Sequence, residues 1–256
     1  MMKRNILITG ASSGIGKAIA YTFAEHGDNV IITGRRKDKL ENIKSDLERK
    51  FNVQVHVYNF DITDIEQVIS NCQKILQDLG TVHILINNAG LALGLDKFQD
   101  YDLTDMMTMV DTNIKGLLTV TRQILPKMVE MNEGHIINIG STAGIYAYAG
   151  AAVYAATKSA VKFLSDGIRI DTIEKNIKVT TLQPGIVETD FSQVRFHGDV
   201  EKAKAVYQGI EALQAEDIAS CALFVANQPR HVQISDMTIM ATQQATGFTI
   251  HREETN

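Results

Sequence analysis

A tyrosine and a lysine four positions apart, Tyr154 and Lys158, are the pair in this chain whose types and spacing most suggest chemistry. On a helix, positions i and i+4 share a face, so the phenol and the ammonium should be neighbours. A phenol ordinarily ionises at a pH of about 10, too high for proton exchange at neutral pH. A cation a few ångströms away favours the phenolate and lowers that value. Thirteen residues before Tyr154, Ser141 closes an apolar run, HIINIG at 135–140. Its hydroxyl could hydrogen-bond the oxygen of an alcohol or a carbonyl. The three together would form a proton-handling site for a C–O group. Taken alone, the spacing better suits an ordinary surface helix, and the decision rests on what lies upstream.

The elements that must position these groups alternate along the chain. NILIT at 5–9 reads as a strand; it runs into Gly10, and a helical pattern follows from Ile15 to Gly27. Further strands are expected at 29–34, 53–59, 82–90, 134–140 and 177–185. Helices are expected at 64–79, 102–112 and 116–131, and from about Ala151 past Ile170. The run VHILINNAG is almost continuously apolar, as expected of a strand buried on both faces. Uninterrupted alternation of this kind implies an α/β fold. The expectation is a Rossmann-type doubly wound parallel sheet of about seven strands, flanked by helices on both faces. Residues 1–256 read as one domain, with no internal repeat, low-complexity tract or linker.

The first turn points to a dinucleotide. Between strand and helix lies TGASSGIG, with Gly10, Gly14 and Gly16 interleaved with Ser12, Ser13 and Ile15. Glycines there let a pyrophosphate approach the helix N-terminus. An NAD-binding fold usually carries an acid about 20 residues further on to hold the ribose 2′-hydroxyl. Here Gly34 leaves space, and Arg35 and Arg36 follow. Paired guanidinium groups suit a 2′-phosphate, so NADP is the expected cofactor, with Arg35, nearer the strand, ranked first. The other reading is that they simply begin a solvated helix. Asp61, at the end of the third strand and followed by Ile62, would accept from the adenine amino group. Alternatively it would cap the next helix, a task for which Thr63 or Asp64 fits better. Asn87, Ala89 and Gly90 in NNAG would tie strands together and touch the cofactor ribose. Asn113 is poorly suited to a helix interior; it implies either a break that frees a carbonyl for water near Lys158, or a cap.

Composition excludes several classes. The net charge is −5 with no basic block, which argues against nucleic acid. Cys72 and Cys221 are far apart in apolar helical patterns and read as buried free thiols, with no metal site. No apolar run reaches the roughly 18–20 residues that span a membrane. The N-terminus enters a strand at once, leaving no room for a signal peptide, so a cytoplasmic protein is expected.

In order and at family spacing, TGASSGIG, Asp61, NNAG, Asn113, Ser141, YAATK and PGIVET resemble the short-chain dehydrogenase/reductase family over nearly the whole chain. The resemblance implies a catalytic tetrad of Asn113, Ser141, Tyr154 and Lys158. Tyr154 would exchange the proton and Ser141 would orient the substrate oxygen. Lys158 would lower the tyrosine's pKa and bind the nicotinamide ribose, and Asn113 would hold a water in the relay. Pro184, Gly185, Ile186 and Thr189 would line the nicotinamide end. A narrower resemblance, carried by residues 191–219 and 240–252, is to the NADP-dependent 3-hydroxy acid dehydrogenases that oxidise serine and allo-threonine. That group can carry Trp-Pro where this chain has Tyr146-Ala147, which makes Tyr146 a candidate for pocket shape. Residues 190–215 would cover the substrate. Arg195 within them would either grip a substrate carboxylate or pair with Asp199 or Glu201 on the surface. The alternatives are a broad carbonyl or 3-oxoacyl reductase and, outside enzymes, an NADP-sensing protein on the same fold. By resemblance a homotetramer is expected, with His251 and Arg252 of the tail near a neighbour's substrate pocket.

Overall fold

The computed structural model describes residues 3–253. Seven parallel strands form one sheet: β1 (Asn5–Ile8), β2 (Asn29–Gly34), β3 (Val55–Asn59), β4 (Ile84–Asn87), β5 (Gly134–Ile139), β6 (Ile177–Pro184) and β7 (Asp236–Ile239). Their spatial order is β3-β2-β1-β4-β5-β6-β7. The order reverses between β1 and β4, and a crevice opens above the carboxyl ends there.

Both faces of the sheet are apolar, and alternate residues feed two separate cores. Ile6, Ile8, Val30, Ile32, Ile84 and Ile86 point one way. They meet α1 (Gly14–Glu25), α2 (Lys37–Lys50) and α9 (Ala215–Ala226) through Ile19, Phe23, Leu40, Leu47 and Ile218. Leu7, Ile31, Leu85 and Ile136 point the other way. There they meet Val68 and Ile75 of α3 (Ile65–Leu79) and Val120 and Ile124 of α5 (Leu117–Met131). The long α6 (Ala152–Asp171) covers β6 on that same face through Ile168.

The segment around Asn113 departs from the expected break. The chain does not leave the helix. Instead α4 (Leu103–Val110) passes into one widened π-helical turn, Asp111–Gly116, and on into α5. A turn of this kind takes one extra residue without losing the helical path, and such turns are frequent at functional sites. Gly116, at the end of this turn, lets Ile62 pack directly against it: a Cβ there would lie 2.8 Å from Ile62 Cγ1. Beyond β6, two short helices, α7 (Phe191–Arg195) and α8 (Val200–Ala205), run over the crevice.

Candidate active site

The crevice is a cavity of about 440 Å³ that runs from the glycine-rich turn to Tyr154. At the turn, Gly10 has φ +66°, and a Cβ on it would stand 2.9 Å from Ala89 Cα. No other residue would fit between β1 and β4 there. Gly16 serves differently: its absent Cβ would collide with Gly10 O at 2.6 Å, so it lets α1 close onto the turn from behind. Among the glycines proposed for the cofactor, Gly10 and Gly14 line the cavity, with Ser12, Ser13 and Ile15, whereas Gly16 packs beneath it. Ser13 precedes α1 without making a side-chain cap, so the first-turn amides are left for another acceptor.

The two arginines divide. Arg36 donates from Nε to Ser12 Oγ (3.1 Å) and from Nη2 to Ser12 Oγ (2.8 Å) and Ser13 Oγ (2.6 Å). Its guanidinium therefore lies on the glycine-rich turn. Arg35 is exposed and faces Asp61 at 3.7 Å. Asp61 also accepts from the Thr63 backbone and hydroxyl, both at 2.9 Å, while Asp64 caps α3 through Gln67 N. Arg35, Arg36, Asp61 and Ile62 all border the cavity.

In NNAG the roles separate. Asn87 is buried; its amide donates to Thr121 Oγ1 (2.9 Å) and Asn138 Oδ1 (2.8 Å). Its side chain ties β4 to β5 and α5 below the crevice, which corrects its expected contact with the ribose. Asn88, the second amide of NNAG, donates to Thr9 O (2.9 Å) and borders the cavity together with Ala89 and Gly90. At the far end Pro184, Gly185, Ile186 and Thr189 also line it. Gln244, not among the sequence candidates, accepts from Ile186 N at 3.0 Å. Gln244 lies within the 240–252 stretch that carries the narrower resemblance, but nothing in the spacing of that stretch marks it for contact with Ile186.

Ser141, Tyr154 and Lys158 converge on one wall. Ser141 follows β5, and its Oγ accepts from Ala143 N at 3.1 Å. Gly144 lets the following turn press on α6: a Cβ there would meet the Lys158 backbone at 2.7 Å. Lys158 is buried, with Nζ 2.8 Å from Ile139 O and 5.9 Å from the Tyr154 ring centre. Burial pulls the ammonium down to about 8. Asn113 does not cap; its amide bridges Leu91 O (2.8 Å) and Thr157 Oγ1 (3.0 Å), and its oxygen accepts from Leu91 N (2.9 Å). Gly90 lies between Asn113 and Lys158, its would-be Cβ 3.2 Å from the Asn113 oxygen and 3.4 Å from Lys158 Nζ.

The cation expected to act on Tyr154 was Lys158, but a second one stands closer. Arg195 Cζ lies 5.0 Å from the Tyr154 ring centre and 5.5 Å from that of Phe191. Its Nη2 donates to Tyr148 Oη at 3.0 Å. The surface alternative is excluded, because Asp199 caps α8 and pairs with Lys202, and Glu201 pairs with Lys204. Burial raises Tyr154 to about 12, while the Arg195 charge, ahead of the Ser141 hydroxyl, pulls it back. Tyr148 thus takes the place expected for Tyr146. Tyr146 is turned outward at 37% exposure, and its backbone packs on Gly247. In the run YAY the alternation marks two candidates, and only the fold chooses between them.

One further expectation changes, and the tail is seated on its own chain. Cys72 is buried and its thiol is pushed up to about 12, but Cys221 is only partly buried; both are free. Arg252 donates to Val206 O (3.0 Å) and to Gln208 O of its own chain, and Glu253 N to Gly209 O (2.8 Å). The tail is thus engaged by its own substrate-covering segment. No cluster of potential metal ligands occurs among the described residues.

Comparisons with known proteins agree with this geometry. The short chain dehydrogenase family profile matches residues 4–200. The NADP-dependent 3-hydroxy acid dehydrogenase of Salmonella typhi is 44% identical over 250 residues, covering 96% of this chain and 99% of that one. The enzyme of the same name from Schizosaccharomyces pombe is 39% identical over 252 residues, 98% and 97% of the two chains. Among solved structures, the closed form of a serine dehydrogenase complexed with NADP+ superimposes with a TM-score of 0.91 at 40% identity, over 97% of this chain and 100% of that one. Sequence order, sheet topology and full-length similarity converge, and the chain belongs to the short chain dehydrogenase family.

Proposed function

We propose that this protein is an NADP-dependent dehydrogenase that oxidises a small 3-hydroxy acid, such as serine or allo-threonine, at C3. The observation that carries the reading is Arg195, a guanidinium in the cleft beside Tyr154 with no carboxylate partner among the described residues. The names of the full-length relatives support the same substrate class. The residues fit the cofactor: an uncapped helix N-terminus lies against the glycine-rich turn, and two arginines border the cavity where a 2′-phosphate would extend. When bound, the nicotinamide accepts hydride at C4 or returns it.

The chain's own groups would do the rest. Arg195 grips the substrate carboxylate, and Ser141 donates to the substrate oxygen. Tyr154, as phenolate, takes the hydroxyl proton while the C3 hydrogen leaves as hydride, so the C–O bond becomes C=O. Lys158 contributes positive charge and a donor to the nicotinamide ribose. Asn113, clamped in the π-turn, fixes the backbone where a relay water would sit. In this reading one domain carries both binding and chemistry, with residues 190–215 over the substrate.

We further propose a cytoplasmic homotetramer. In support, no helix among the described residues is long and apolar enough to cross a membrane. Leu103, Met107 and Leu118 on α4 and α5, and Phe163 and Ile170 on α6 with Ile173 just beyond it, leave apolar surface exposed. Sedimentation at assay concentrations checks the assembly. The functional test is NADP+ reduction with L- and D-serine, L-allo-threonine, 3-hydroxybutyrate and neutral secondary alcohols. Activity centred on the carboxylates and lost in Arg195→Ala supports the reading. Activity only on neutral alcohols, or only as ketone reduction, replaces it with a broad carbonyl reductase.

A further inference from the structure

Arg195 is held more tightly than a carboxylate grip alone requires. Its main-chain carbonyl accepts from Gly94 N at 2.8 Å, which ties the end of α7 to the loop after β4. Its Nη2 is fixed by the Tyr148 hydroxyl, and the Tyr148 and Phe191 rings lie 6.0 and 5.5 Å from Cζ. Nε is enclosed without a partner. Three aromatic rings and one phenol oxygen thus form a cage whose nearest chemistry is the ring of Tyr154. No acid of the described residues pairs with the guanidinium, so its charge is not cancelled locally.

We propose that Tyr148 is a positioning residue that holds Arg195 over Tyr154, so that the group gripping the substrate is also a second cation readying the base. This rests on the assignment of Tyr154 as the proton-exchanging residue, not on the identity of the substrate. A positive charge about 5 Å from the ring stabilises phenolate over phenol, and a guanidinium on an aromatic face is also attracted to the ring. Burial sets Tyr154 high, and the Arg195 charge is the first influence pulling it down.

The other groups around Tyr154 are accounted for. On its own helix Lys158 lies 5.9 Å from the ring, its Nζ committed to Ile139 O. The turn after β5 contributes Ser141, and the loop before α6 contributes Tyr148. Across the cleft Tyr101 donates to Leu93 O. Asp96 and Asp105 act on Tyr101, and Asp105 is itself paired with His197 at 2.9 Å. No acid thus competes with Arg195 for Tyr154. Tyr148 itself raises Tyr154, by less than the Arg195 charge lowers it, while fixing that cation in place.

The test is the pH dependence of kcat/KM for NADP+-dependent oxidation of a neutral secondary alcohol, which needs no carboxylate grip. Oxidation requires the phenolate, so the acidic limb follows the Tyr154 ionisation, and losing a cation moves that limb upward. Arg195→Met should shift it by about one pH unit. Arg195→Lys should restore the limb while leaving KM for a 3-hydroxy acid raised, since charge returns without the planar fork. Tyr148→Phe should raise that KM several-fold and shift the limb by less than Arg195→Met. If the limbs of wild type and Arg195→Met coincide, with turnover merely scaled, the inference is overturned. A second readout needs no substrate: the Cζ resonance of Tyr154 in isotope-labelled protein with NADP+ bound, identified by its loss in Tyr154→Phe. Its titration should move upward in Arg195→Met; an unmoved titration overturns the inference too. Should wild type oxidise no alcohol at all, the functional proposal fails, and the resonance still decides this one.

Discussion

Two arginines at opposite ends of the sheet are held in opposite ways. Arg4, just before β1, is clamped to Asp28, with Nε 2.9 Å from one carboxylate oxygen and Nη2 2.6 Å from the other. Around it the amino end of the sheet closes: His83 accepts from Asn5 N at 2.9 Å, and the buried His135 meets Thr180 Oγ1 at 2.8 Å. Arg195, above the carboxyl end, meets rings and a single phenol instead. At the floor, charge is cancelled by charge, which fixes the fold and leaves nothing over for a ligand. At the mouth, Arg36, Lys158 and Arg195 are held by hydroxyls, rings and carbonyls, which position them without neutralising them; Arg35, facing Asp61, is the exception. The floor should therefore answer to stability measurements and the mouth to kinetics.

The largest effect belongs to the mouth. Tyr154→Phe keeps the ring that packs at 5.8 Å against Phe191 and removes only the hydroxyl that exchanges the proton. Turnover should fall by about two to four orders of magnitude, with the melting temperature nearly unchanged. Near-normal turnover would dissolve the distinction between the two ends.

The floor should show its character under acid. Burial, with Lys178 and Arg4 adding smaller pushes, holds His135 down at about 3. An unfolded histidine titrates at about 6.5. The unfolded chain therefore takes up the proton first, and stability falls with pH through the window from about 6.5 to about 3, by up to about 4 kcal/mol over the full span. Denaturation of wild type and His135→Gln at neutral and mildly acidic pH checks this: the variant, though less stable at neutral pH, should lose less on acidification. Equal losses would mean that other groups carry the acid response.

Breaking the clamp directly should cost somewhat less. Asp28→Asn removes the countercharge of Arg4, whose side chain is 24% exposed, so water recovers part of the loss. A penalty of about 2–3 kcal/mol is expected, or a melting temperature lower by roughly 5–10 °C for a chain of this length. The KM values should stay in place. A changed substrate KM would show that floor and mouth are coupled through β1.

How much of this was legible without coordinates follows from how local each signal is. The strands, the glycine-rich turn and the Tyr154–Lys158 face are written in contiguous residues, and they stand where the pattern put them. Asn113 was visible as an anomaly in a helix, but its seat in a widened turn, bonded to Leu91 and Thr157, is a set of contacts between distant segments. The choice of Tyr148 over Tyr146, the burial of Asn87 below the crevice and the contact of Gln244 with Ile186 all depend on which face the fold turns inward. Period and spacing do not carry that information for a loop, or for the last residue of a strand such as Asn87. Nor does a sequence show that Arg252 finds carbonyls of Val206 and Gln208 on its own chain.

The smallest expected effect is the most discriminating, since it sets two neighbouring residues at the mouth against each other. The sequence ranks Arg35 first for a 2′-phosphate because it is nearer the strand. The structure lays the guanidinium of Arg36 along Ser12 and Ser13, and leaves Arg35, its side chain 69% exposed, facing Asp61 at 3.7 Å. A group already seated on the turn loses little freedom when it adds an anion, and charge-assisted bonds of this kind contribute about 1.5–3 kcal/mol. Arg36→Ala should then weaken NADP+ binding about 10- to 100-fold while changing NAD+ binding little. Arg35→Ala should do less, because part of its charge is already balanced by Asp61 and part is screened by solvent. Equilibrium binding of both nucleotides to the two variants settles the order. Equal losses of NAD+ and NADP+ in Arg36→Ala would mean that the fork supports the serines of the turn and not the phosphate. The contrast between cancelled charge at the floor and free charge at the mouth would then rest on Arg195 alone.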